Sequence, residues 1–158
     1  PAQIERYRAK LSGPLLDRID MQVNVNRLPA TTLFKATKNP NTPEPSNAVR
    51  TRVLAAHRLQ HQRQQRINAS LNSNALQERS LFAEESLEWL GQALEKLQLS
   101  ARVFHRLLRV ARTIADLEQV TKRKSNSCDA SKKINVSPVE VRHVKEALSF
   151  RQLGSEPR

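Results

Sequence analysis

Three arginines, Arg102, Arg106 and Arg109, are spaced i, i+4 and i+7, and Thr113 and Asp116 continue the line. On a helix that spacing puts them on one face. Guanidinium forks gathered at the N-terminal half of a helix, where backbone N–H groups are still unpaired, suit phosphate oxygens. A solvated arginine face with Arg109 and Asp116 as a local pair has the same spacing, so spacing alone does not choose. A second basic stretch, residues 46–67, carries five arginines and no acid. Arg50, Arg52 and Arg58 are its candidate phosphate contacts, although the five point in several directions. His57 and His61 stand i, i+4, a geometry that can hold zinc, but the residues between them lack the glutamate of HExxH and no third ligand is evident. No metal site is expected there. His105 and His143 stand singly and read as surface or interface groups. Asp17 and Asp20 form a close carboxylate pair without a pocket suited to acid–base work.

The phosphate-binding signature GxxxxGK is absent, as is a GxSxG nucleophile elbow, and the chain has only three glycines. Independent catalysis by this chain is therefore not expected. The formal charge of +12 favours polyanionic partners such as nucleic acid or nucleotides. Most of the excess lies early: residues 1–80 hold thirteen Lys/Arg and five Asp/Glu, +8, while residues 81–158 hold fourteen and ten, +4. The single cysteine, Cys128, allows no intrachain disulfide and fits a reducing, cytoplasmic setting. No apolar run is long enough for a membrane span. The chain opens at Pro1 without Met and reads as a piece of something longer.

These side chains need a scaffold, and composition makes it mainly α. Aromatics are 4% of residues while Leu, Ala, Arg, Gln and Glu dominate. Residues 3–11 predict a short helix, followed by a turn through Leu15, Leu16 and Ile19. Met21, Val23 and Val25 alternate with polar residues as in a half-buried strand. A lone strand needs a sheet, so residues 1–45 of the isolated chain are expected to be poorly ordered or packed in a non-native way. Pro29, Pro40, Pro43 and Pro45 mark residues 27–45 as a linker. A helix over 46–67, capped by Ser46, would bury Val49, Val53, Ala56 and Ile67. After a loop over 68–80, Leu87, Leu90, Leu94 and Leu97 predict a helix over 83–98. Ser100 then caps the strongest helix, with Leu99, Val103, Leu107, Val110, Ile114 and Leu117 on its apolar stripe. Residues 121–135 read as mobile. Ser137-Pro138-Val139-Glu140 reads as the capping box of a last helix that buries Val141, Val144 and Leu148.

Two stretches, YRAKLSGPLLDRIDMQVNV at residues 7–25 and LSARVFHRLLRVARTIADLE at 99–118, resemble the magnesium-chelatase-like AAA+ proteins of the ComM/YifB group. The VRTRV stretch at Val49–Val53 and a closing EALSFRQL segment at Glu146–Leu153 extend the likeness. The resemblance implies that residues 1–26 finish an αβα ATPase core and that 46–158 form its helical lid, a helical bundle. It also implies that Arg18 is an arginine finger reaching a neighbouring subunit's γ-phosphate and that Arg102 is sensor 2. The parent would then be a ring, most often a hexamer, using ATP and magnesium as a DNA helicase or branch-migration motor, with its phosphate loop before Pro1. The rival readings are a stand-alone basic DNA-binding module, in which residues 46–67 meet the backbone without ATP, and a protein-interaction lid.

Overall fold

A computed structural model describes residues 6, 10, 13–23, 25, 27, 44–76, 78, 81–125 and 136–151. Nearly all of the expected 3–11 helix, most of the 27–45 linker, residues 126–135 and the end of the closing segment lie outside these. Six α-helices are described: α1 (Gly13–Leu16), α2 (Ser46–Gln64), α3 (Ser73–Leu76), α4 (Glu84–Lys96), α5 (Ala101–Ser125) and α6 (Val141–Ser149), with a 3₁₀ turn at Asn68–Ser70. No strand occurs among the described residues, and the architecture is the mainly α bundle expected. The one β-bridge among the described residues is an isolated parallel pair, Phe82 with Val139.

Helix α5 is the axis. It packs along α6 and α2, and α6 in turn packs on α4. Val103, Leu107, Leu108, Ala111 and Ala115 of α5 meet Leu90 and Ala93 of α4 and Val144, Ala147 and Leu148 of α6 in the main core. A smaller cluster of Ala56, Leu59 and Val120 joins α2 to the C-terminal half of α5.

Several expectations need correction. Val49, Val53 and Leu97 are exposed (36%, 40% and 46%), and α2 instead buries Ala56, Leu59 and Gln60. The physical reason is that only the second half of α2 lies on α5, so its early valines face away. On α5 the buried face runs through Leu107, Leu108, Ala111, Arg112, Ala115 and Asp116, leaving Val110, Ile114 and Leu117 at its margin. Helix α2 stops at Gln64 rather than near Ile67. Gln65 turns left-handed (φ 58°) and its N–H bonds the His61 carbonyl at 2.8 Å. Its N-cap is Pro45, and Ser46 is its first helical residue. The α5 helix continues through residues 121–125, stabilised by buried Val120 and the Lys122–Glu118 pair at i, i+4.

The last helix begins at Val141, three residues after Pro138. Val139 is fully buried and extended: its N–H donates to the Leu81 carbonyl at 2.9 Å and its carbonyl accepts the Ala83 N–H at 3.0 Å. Those bonds occupy groups that a helix would have used. Met21, Val23 and Val25 are exposed at 45%, 65% and 87% and form no strand, because no strand occurs among the described residues to pair with them. Gln22 donates its N–H to the Phe150 carbonyl at 2.7 Å instead.

Candidate functional site

The turn that follows α1 is fastened onto the N terminus of α5. The Ser100 hydroxyl donates to Asp17 Oδ2 at 2.8 Å, and the Ser100 oxygen accepts the Val103 N–H at 3.4 Å. Ser100 thus caps α5 as its position predicts, and it holds Asp17 there at the same time. Asp20 pairs with Arg106. From the other end of the chain, Arg151 Nη2 donates to the carbonyls of Leu16, Asp17 and Ile19. Asp17 and Asp20 therefore act as clamps. The preference of the α5 N terminus for an anion is partly met by Asp17 itself.

The seven arginines singled out by sequence divide into two groups. Three are committed within the chain: Arg106 to Asp20, Arg52 to Glu44 in a two-pronged pair at 2.8 and 3.0 Å, and Arg109 to the Leu71 carbonyl at 3.2 and 2.8 Å. Four, Arg18, Arg50, Arg58 and Arg102, are exposed, and their side chains bond no described residue. The Asp17–Ser100 bond joins the residue before Arg18 to the cap of the helix that carries Arg102. Arg50 and Arg58 lie on α2, and Arg58 borders a shallow groove with Leu59, Val120 and Arg123. His57 and His61 are exposed on α2, and no group of three metal-ligating side chains occurs among the described residues.

Asp116 does not pair with Arg109. It is completely buried and receives Arg112, four residues earlier on α5, and Arg63 from α2, with charged N–O distances of 2.7 and 2.6 Å. Asn68 donates to it at 2.8 Å and accepts from Arg63 and Gln64. Arg112, also fully buried, donates to the carbonyls of Leu81 and Ser137 at 3.1 and 2.8 Å. Burial alone would raise the Asp116 carboxyl, but the hydrogen bond from Arg63, the charges of Arg112 and Arg63, and Asn68 together hold it below the usual carboxylate range. Burial lowers the Arg112 pKa, and Asp116 opposes that shift. This network locks α2 onto α5 and positions the loops at 68–71 and 81–83. Sequence reasoning missed Arg63, Asn68 and Arg112. The available signal was Arg112 and Asp116 at i, i+4 on the face that Ala111 and Ala115 share.

His143 is likewise not a surface group. It is 4% exposed, its Nδ1 accepts the Glu140 N–H at 2.9 Å at the start of α6, and its Nε2 meets Glu118 of α5. The His143 hydrogen bond, reinforced by Lys122 and Arg142, lowers the Glu118 carboxyl from 4.5 to about 2. A carboxyl whose folded pKa is depressed adds stability above its unfolded value, and that stability disappears as pH falls from about 4.5 towards 2. Glu118→Gln should remove this part of the acid sensitivity, on the order of 1 kcal/mol given its partial exposure. Urea midpoints of both proteins at pH 5 and pH 3 test it; an unchanged difference between the two pH values would refute the assignment.

Residues 43–131 match the family described as magnesium chelatase, subunit ChlI C-terminal, and residues 1–33 match magnesium chelatase, subunit ChlI. The chain is 36% identical over 154 residues to the uncharacterized protein YifB of Escherichia coli K12, covering 97% of this chain and 26% of that protein. It is 42% identical over 118 residues to the competence protein ComM of Haemophilus influenzae, covering 75% and 23%. An uncharacterized protein of Mycobacterium tuberculosis is 36% identical over 154 residues, covering 95% and 26%. The chain spans about a quarter of the length of these relatives. Arg18 falls within the match over residues 1–33 and Arg102 within that over 43–131, and the chain belongs to the magnesium chelatase ChlI C-terminal family, in the magnesium-chelatase-like ComM/YifB group.

Proposed function

We propose that this chain is the arginine-bearing lid region of a ring-forming AAA+ ATPase, acting on DNA as a helicase or branch-migration motor of the ComM kind. In this reading Arg18 is the arginine finger that reaches the γ-phosphate of ATP in a neighbouring subunit, and Arg102 is sensor 2. The observation that carries it is that Arg18 and Arg102, two exposed guanidiniums that bond no described residue, flank the Asp17–Ser100 hydrogen bond in sequence, while Arg106 and Arg109 are engaged within the chain. Planar forks on a fixed scaffold fit triphosphate oxygens and stabilise charge that develops during phosphoryl transfer. ATP with magnesium supplies the phosphoryl group; this chain supplies positively charged donors and their placement. The formal charge of +12 supports DNA as the substrate.

Mixing distinguishes a finger that acts across a subunit boundary. In the full-length protein, an Arg18→Ala variant combined with a phosphate-loop variant should recover part of the ATP turnover that each lacks alone, because some interfaces join two intact halves. No recovery in verified mixed rings would remove the cross-subunit role.

Exposed Arg50 and Arg58 on α2, in a chain of +12 formal charge, support direct contact with nucleic acid as well. The chain should bind DNA weakly and without sequence preference, with affinity falling about 10³-fold or more between 50 and 200 mM salt if six or more phosphates are engaged. Fluorescence anisotropy across a salt series measures this. Salt-insensitive or strongly sequence-selective binding would argue for base readout and against phosphate contact.

A further inference from the structure

The turn that presents Arg18 has little of its own to hold it. Helix α1 is four residues long, and the turn's internal bonds are Arg18 N–H to the Leu15 carbonyl at 3.0 Å and Ile19 N–H to the Leu16 carbonyl at 3.1 Å. One turn of helix does not persist in water without outside support. Beside the Asp17–Ser100 and Asp20–Arg106 links, that support comes from Arg151, separated from Leu16 by 135 positions in sequence. Its Nη2 donates to the Ile19 carbonyl at 2.9 Å and reaches those of Leu16 and Asp17 at 3.3 and 3.4 Å, so it holds the backbone on both sides of Arg18. Beside it, the Phe150 carbonyl accepts the Gln22 N–H at 2.7 Å. Asp17 and Asp20 also lie close enough to act on Arg151 by charge, as does Arg106, and they connect the same turn to α5.

We propose that Arg151 is a positioning residue for Arg18: by gathering the carbonyls of residues 16, 17 and 19, it fixes the height of the Arg18 turn relative to Arg102. This rests on the reading of Arg18 as a contact to nucleotide phosphate. The closing segment of the chain then takes part in ATP hydrolysis without touching ATP. A displacement of about 1 Å in a group that contacts the reacting phosphate is enough to cost on the order of 10²-fold in rate. Three carbonyls around one guanidinium nitrogen form a cradle that a flexible ammonium fills less well.

The test uses ATP turnover of the full-length protein in four variants: Arg18→Ala, Arg151→Ala, Arg151→Lys and the Arg18→Ala/Arg151→Ala double. Arg151→Ala should lower kcat by about 10- to 100-fold, with the KM for ATP changed only a few-fold. Arg151→Lys should recover part of the loss, and the double variant should be no slower than Arg18→Ala. A normal kcat in Arg151→Ala beside an inactive Arg18→Ala overturns the positioning role alone. Normal turnover in Arg18→Ala overturns the underlying phosphate reading. Multiplying losses in the double variant mean that Arg151 acts by a separate route, which also overturns the proposal. If Arg151→Ala does not fold, Arg151→Lys and amide exchange at residues 18–22 replace it: faster exchange there, with α5 unchanged, accompanied by a lower kcat supports the clamp, and faster exchange at normal kcat overturns it.

Discussion

Arg18→Ala and Arg102→Ala in the full-length protein are each expected to lower ATP turnover by orders of magnitude, about 10³- to 10⁵-fold for a true arginine finger. The size follows from what a finger does. In the ground state the γ-phosphate is already neutralised by its own cofactors and loop, whereas the transition state spreads charge over oxygens that a correctly placed guanidinium can bond at two points. Loss of such a donor therefore appears mainly in kcat. The fold should survive both changes, because each side chain is exposed and bonds no described residue. Unchanged thermal unfolding of the variants checks that the loss is chemical. Lysine should rescue poorly at either position, since an ammonium is a single point charge. Arg102 carries one further condition: its helix is capped by Ser100, which also holds Asp17, so Ser100→Ala should weaken the link between the two arginines while leaving both in place. If both alanine variants hydrolyse ATP normally but lose affinity for DNA, the phosphate being contacted is nucleic acid and the binding-module reading replaces the ATPase one.

Asp116→Ala is expected to destabilise the chain by about 3–5 kcal/mol, the cost of breaking a buried ion pair from one side. Arg112 would be left with 0% of its side chain exposed and Arg63 with 7%, each without the carboxylate that offsets its desolvation. Asn68 would lose an acceptor as well. Buried ion pairs contribute little net stability compared with well-packed apolar groups, so the sharper expectation concerns a comparison. Replacing Arg63 and Arg112 with Met and Asp116 with Leu together should cost less than Asp116→Ala alone. Urea unfolding of the two variants decides this. If Asp116→Ala lies within about 1 kcal/mol of the unaltered chain, the network is not the lock between α2 and α5.

Helix identity was legible in the sequence because it depends on local periodicity. The leucines of α4 and the 103–107 step of α5 repeat at helical spacing, and Ser100 stands where a cap is needed, so these elements follow from nearest-neighbour physics. The family likeness and its two arginines were legible for a related reason: the stretches around Arg18 and Arg102 are contiguous in the chain. What periodicity does not contain is which part of a helix meets a partner. Val49 and Val53 have the spacing of a buried stripe, yet only the later half of α2 lies on α5, so Ala56 and Leu59 are buried instead.

Tertiary structure decided the fate of the charges whose partners lie far away in sequence. Arg63 and Asp116 lie 53 positions apart, Arg106 and Asp20 86, and Arg151 and Leu16 135. No local rule links such residues, because a guanidinium's cost or gain depends on who is opposite it once water has been excluded. By itself the sequence determined a basic, mainly helical chain with arginines in phosphate-like settings. Folding gave Arg106, Arg109, Arg112 and Arg63 internal acceptors and left Arg18, Arg50, Arg58 and Arg102 exposed, with no side-chain bond to a described residue.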